Sequence, residues 1–97
     1  MFVRSQSTLW TKIDNQVMLM NIENGSYYEI EGIGGAIWQM LETPRSEAEI
    51  VEAILATYRV EQEECVNDIR AFLAKLTASQ IVIKQPDVLV ASVNTAE

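Results

Sequence analysis

Apolar and polar residues alternate with a period of two as far as Ile30 and with a period near 3.6 beyond it, which predicts a small antiparallel sheet followed by helices. Thr8–Ile13, TLWTKI, sets Leu9, Thr11 and Ile13 against Trp10 and Lys12, as in a strand with two unlike faces. Asp14-Asn15 is a two-residue turn. Gln16–Ile22, QVMLMNI, is apolar on both sides, Val17 and Leu19 on one and Met18, Met20 and Ile22 on the other, and so takes the centre of the sheet. Asn24-Gly25 is a hairpin signal, because a type I′ turn needs two positive φ angles that these residues tolerate. SYYEI, Ser26–Ile30, then returns as a third strand, with Tyr28 and Ile30 facing one way and Tyr27 and Glu29 the other. The expectation is a meander in sequence order, which leaves the outer edge of SYYEI without a partner.

The glycines of GIGG, Gly32 to Gly35, stand where the period changes. They lack both the GxGxxG spacing and the lysine of a phosphate loop, so they read as a hinge from strand into helix. Ile33–Glu42 is the first helix, burying Ile37, Trp38 and Leu41. Ser46, with Glu49 three residues on, forms a capping box that opens a second helix, whose apolar stripe is Ile50, Val51, Ile54 and Leu55 and whose end is Tyr58. The third helix runs from about Glu61 to about Ser79. Its residues Cys65, Val66, Ile69, Phe72, Leu73 and Leu76 share one arc, and EQEE at Glu61–Glu64 complements the helix dipole. QIVIKQP adds a short terminal strand. DVLVASVNTAE reads as a mobile or loosely docked tail, giving a folded domain over 1–86 and a C-terminal tail over 87–97. Trp10, Trp38 and the four methionines are assigned to the core or its rim.

Composition narrows the function. Fourteen acidic against seven basic residues give a net charge of −7, which repels a phosphate backbone, so nucleic acid is not an expected partner. A single cysteine and no histidine exclude an internal disulfide and His/Cys zinc sites, and leave Cys65 without a base to activate it as a nucleophile. Neither a signal peptide nor a membrane span is expected, nor any metal or cofactor, and the cytoplasm is the expected location. Catalysis has no footing, which leaves a binding module. The free edge of SYYEI supplies its mechanism, since an extended peptide can pair with it. A DNA-binding winged helix shares the same parts, but its groove-entering helix would begin with EQEE and carry Asp68.

The run from Val17 to Ile83 resembles the PqqD-like family, the precursor-peptide recognition elements of ribosomal peptide (RiPP) modification pathways. The resemblance lies in an ordered set: a strand, a glycine turn, the aromatic strand ending Tyr28-Glu29-Ile30, Gly34 to Trp38 at a helix start, Glu49-Ile50, and then Asp68-Ile69, Phe72-Leu73 and Leu76. Three positions depart: Glu31 stands where the family often has Asn, Gly35 where it often has Ala, and Gln80 where a Gly often ends the third helix.

The resemblance implies an α+β, winged helix-turn-helix-like domain, a three-stranded antiparallel sheet followed by three helices. It implies a leader peptide added as a strand beside the third strand, in a groove walled by the third helix. As a separate small protein with GSYYEI, the chain is most similar to leader-binding proteins of lasso-peptide clusters, which hand the precursor to a leader peptidase before an ATP-dependent cyclase closes the ring. The alternative is the peptide chaperone of quinone-cofactor (PQQ) biosynthesis, which serves a radical enzyme. The expected peptide-binding set is Tyr27, Tyr28, Glu29, Ile30, Cys65, Asp68, Ile69, Phe72, Lys75 and Leu76. In it the backbone of Tyr27 to Ile30 pairs with the leader, and the Cys65–Phe72 edge of the helix, flanked by Asp68 and Lys75 and with Ile69 beneath, walls the groove. The opposite edge, Val66 and Leu73 beside Arg70, is the other possible wall.

Overall fold

A computed structural model describes residues 1–86 of the chain, so the tail reading for 87–97 lies outside the described residues. The expected meander forms from β2 (Thr8–Ile13), β3 (Gln16–Asn21) and β4 (Tyr27–Glu31), antiparallel in that order. Leu19 opposes both Trp10 and Tyr28, and Val17 opposes Lys12 and Ile30, so these residues share the inward face. α1 (Ile33–Met40), α2 (Glu47–Thr57) and α3 (Gln62–Ala78) follow and cover that face. Val17, Leu19, Ile37, Trp38, Leu41, Ile50, Ile54, Leu73 and Leu76 are buried together as one core.

Local signals act where the sequence puts them. Ser46 and Glu49 close both halves of the capping box at the start of α2. Gly32 has φ 60°, a left-handed backbone that lets the chain turn sharply from β4 into α1.

Three features differ from the expectation. Residues 22–25 form a four-residue loop instead of a two-residue type I′ turn. Gly25 takes φ 77°, while Asn24 is not among the described residues with positive φ. Buried Asn21 explains the change: its Oδ1 accepts the N–H groups of Glu23 and Asn24, while its Nδ2 donates to the Gln80 carbonyl at 2.8 Å. Secondly, β1 (Phe2–Arg4) pairs antiparallel with β5 (Val82–Lys84) in a separate two-stranded sheet. The sequence reading contained only the second of these strands. Thirdly, Met20 is exposed on the outward sheet face instead of joining the core or its rim.

α3 ends in a Schellman motif, with Ile81 N–H donating to the Leu76 carbonyl and Gln80 N–H to that of Thr77. Gln80 occupies its left-handed position, φ 62°, which suits glycine. Gln80→Gly is expected to relieve about 1 kcal/mol of backbone strain. The greater freedom of the unfolded chain takes back part of it, for a net gain near 0.5 kcal/mol. A rise in the urea midpoint checks this, and a fall would show that the Gln80 side chain matters more than its backbone.

Candidate functional site

Gly25 and Gly32 bracket β4, so the strand is held at both ends while only one of its edges is used. Among the described residues β4 pairs with β3 alone. Tyr27 and Glu29 point outward, where the Tyr27 hydroxyl donates to the Glu29 carboxylate at 2.9 Å. That bond, aided by partial desolvation and by the carboxylate charge, raises the phenol pKa.

Inward-pointing Tyr28 and Ile30 meet α3. The Tyr28 hydroxyl bonds that of Ser79, the residue capping the C-terminus of α3. Lys75 Nζ lies 5.4 Å from the centroid of the Tyr28 ring. Phe72 and Ile30 crowd the first turn of α1: a Cβ added at Gly34 would stand 3.4 Å from Phe72 Cε1 and 3.5 Å from Ile30 Cβ. Tyr28 and Ile30 on one side therefore run beside Lys75 and Phe72 on the other. Further along, a cleft of about 300 Å³ is lined by Ile33, Ile54, Val60, Cys65 and Ile69 with the charged Arg59, Glu61, Glu64 and Asp68.

The other edge of the α3 arc faces α2. Arg70 Nη2 lies 2.9 Å from the Glu47 carboxylate, and Leu73 is fully buried. Of the expected set, Tyr28, Ile30, Phe72 and Lys75 come together at the β4–α3 line, and Cys65, Asp68 and Ile69 at the cleft. Leu76, at 1% exposure, lies within the core and offers no surface. Sequence reasoning missed Ile33, Ile54 and Val60, which come from three separate segments and meet only in the fold.

Cys65 is buried, and desolvation, with the nearby Asp68 charge, pushes its thiol pKa up. The folded thiol thus stays protonated to higher pH than the unfolded one. Its stabilising effect is full below the unfolded thiol's range and is lost as the pH rises from there through the folded thiol's higher range. Alkylation of the native protein by iodoacetamide at mildly alkaline pH is expected to run about tenfold or more slower than in urea. Equal rates would show that the cleft opens readily. Three acids, Glu61, Glu63 and Glu64, also sit at the start of α3, where the Glu61 carboxylate accepts the Glu64 N–H as the N-cap.

The family model described as coenzyme PQQ synthesis protein D (PqqD) matches residues 16–82. No curated protein sequence matches the chain. Among solved structures it is similar to TbiB1 in complex with the TbiA(beta) leader peptide, with 30% identity and a TM-score of 0.77 over 88% of this chain and 99% of that one. It is also similar to lasso peptide synthetase B1 complexed with the leader peptide. There the identity is 20% and the TM-score 0.73, over 86% of this chain and 98% of the other, a likeness of fold alone.

Proposed function

This chain belongs to the PqqD family, and from that premise we propose that it is a non-catalytic module that binds the leader region of a ribosomally made precursor peptide. The leader adds as a strand to the free edge of β4 and lies against α3. The carrying observation is the edge of β4, unpaired among the described residues, whose Tyr28 and Ile30 side chains lie near Lys75 and Phe72, in a chain whose relative TbiB1 was solved with a leader peptide.

Main-chain bonds along Tyr27 to Ile30 give affinity, and pockets for alternate side chains give selectivity. An aromatic or proline side chain of the leader anchors against Phe72. The neighbouring cleft, apolar within and bearing three acids and one arginine, accepts an apolar residue next to a basic one. Asp68 and Lys75 select leader charge. A disordered leader loses freedom on binding, so the expected affinity is micromolar or tighter, about −8 kcal/mol or beyond.

The precursor belongs to a lasso-peptide pathway, and the protein delivers it in the cytoplasm to a leader peptidase, ahead of the cyclase. The description of the matching family model favours a second reading, a peptide chaperone of PQQ biosynthesis serving a radical enzyme. Which precursor binds separates the two.

Calorimetric titration of the purified protein with the synthetic leader of any short precursor gene found beside its own tests the proposal. Saturable one-to-one binding is expected, and it should vanish when proline replaces a central leader residue, because proline cannot donate to the ladder. A folded protein that shows no saturation with any neighbouring precursor would overturn it.

A further inference from the structure

Two main-chain bonds at the closed end of the meander fix which residues of β4 still have groups to offer. Asn21 N–H donates to the Ser26 carbonyl and Ile22 N–H to the Ser7 carbonyl, each at 2.9 Å. Successive residues of an antiparallel strand turn their main-chain groups to opposite sides, so the odd residues of β3 bond β4 and the even ones bond β2. Register carries that parity along β4. Tyr28, opposite Leu19, and Ile30, opposite Val17, direct their N–H and C=O groups to β3. Tyr27, Glu29 and Glu31 turn theirs to the free edge, so these three residues, spaced two apart, carry the ladder of any strand added there.

The same three residues are exposed, while Tyr28 and Ile30 between them are half-buried. In an antiparallel addition, the pairing that is stronger per residue, the incoming residue opposite Glu29 is hydrogen-bonded to it and shares its outward face. The incoming residues on either side of it turn inward, toward Tyr28, Ile30 and Phe72. One leader strand therefore meets apolar side chains on its inward face and acids on its outward face.

Glu29 is prepared for a cation. The Tyr27 hydroxyl holds its Oε2 at 2.9 Å and leaves Oε1 unengaged, and neither Glu29 nor Glu31 is in an ion pair among the described residues. Met18 stands directly opposite Glu29 on β3, an apolar bed for the stem of a lysine or arginine. Glu31 is less well placed, because Lys12 lines the same cavity of about 510 Å³ and offsets its charge. We propose that the protein selects leaders bearing a lysine or arginine at the hydrogen-bonded position opposite Glu29, with a weaker preference for a second basic residue opposite Glu31 and an apolar residue between the two. The net charge of −7 favours the approach of such a segment.

This inference rests on the leader-binding reading, and the test separates the two. The probe is the synthetic leader of a precursor gene found beside that of the protein, with each residue N-methylated in turn and each basic residue changed in turn to glutamate. N-methylation removes a main-chain donor, so sensitive leader positions are expected two apart, with a basic residue at one of them. Glu29→Lys, shown by circular dichroism to be folded, should weaken the unaltered leader about fivefold or more, and Glu31→Lys about twofold. The leader with glutamate at that basic position should bind wild type poorly and recover on Glu29→Lys. Glu29→Gln, which keeps an acceptor for Tyr27, should lose affinity as well and flatten the salt dependence. Leader binding that is indifferent to both Glu29 substitutions, or a basic residue that couples to Glu29 from a position tolerant of N-methylation, would overturn the inference and leave leader binding standing. Absence of leader binding in wild type would sink the earlier reading itself.

Discussion

Trp38→Ala is expected to remove about 3–5 kcal/mol of stability, a large share of the roughly 5–15 kcal/mol typical of a single domain. Trp38 has no exposed surface, so the whole ring is lost from a packed interior. Its neighbours make collapse into the gap difficult. Trp10 meets the ring edge-on with centroids 6.3 Å apart, and the Arg4 guanidinium lies 4.5 Å from its centroid. Arg4 is pinned there by Nε and Nη2, which both donate to the Trp38 carbonyl at 3.0 and 2.8 Å. Those backbone bonds survive the substitution, but the cation loses one of its two rings. Trp38→Phe should cost much less, since the indole Nε1 has no hydrogen-bond acceptor among the described residues and phenylalanine forfeits none. Urea unfolding of the two variants measures both. Similar losses for Phe and Ala would show that the site is held by something other than ring volume.

Phe72→Ala should weaken leader binding by about 1–3 kcal/mol, a factor of roughly five to more than a hundred. Phe72 is half-buried, resting on Gly34, which also meets Ile30, at the line where β4 faces α3. Truncating it removes the largest apolar side chain beside the free strand edge. Because the ring is only partly covered, the fold should tolerate its loss better than that of Trp38. Calorimetry on a variant shown by circular dichroism to be folded separates the two effects. Wild-type leader affinity in that variant would rule Phe72 out as an anchor and shift attention to the cleft at Ile33 and Cys65.

What the amino-acid pattern revealed, and what it hid, divides along sequence distance. The alternation in β2, β3 and β4, the capping box at Ser46 and the left-handed Gly32 are set by residues a few positions apart, and all are legible. Asn24-Gly25 misled because its loop is shaped by Asn21, whose amide reaches the Gln80 carbonyl across 59 positions. Phe2–Arg4 carries no strand signal of its own, being three residues long with a partner at Val82–Lys84. The helical arc on α3 is apolar in the sequence and buries Cys65, Ile69, Leu73 and Leu76 in the fold. Periodicity alone could not tell that Leu76 sinks into the core while Phe72 and Lys75 stand beside β4, because that depends on where α2 and the sheet lie. Met18 and Met20 were harder still. A two-sided apolar strand normally means cover on both faces, and here one face has none among the described residues.

The pairing of β1 with β5 sets an order of events during synthesis. Phe2–Arg4 are made before the other described elements and Val82–Lys84 after all of them, so β1 waits for its partner while the whole sheet and all three helices between them are made. Closing that distance carries the largest loop entropy in the fold, though the cost grows only with the logarithm of length. Arg4 can reach Trp38 much sooner. Pulse-labelled hydrogen exchange during refolding should therefore find the amides of Val3 and Arg4 protected after those of β3, with the final ribbon acting as the clasp on a domain already assembled.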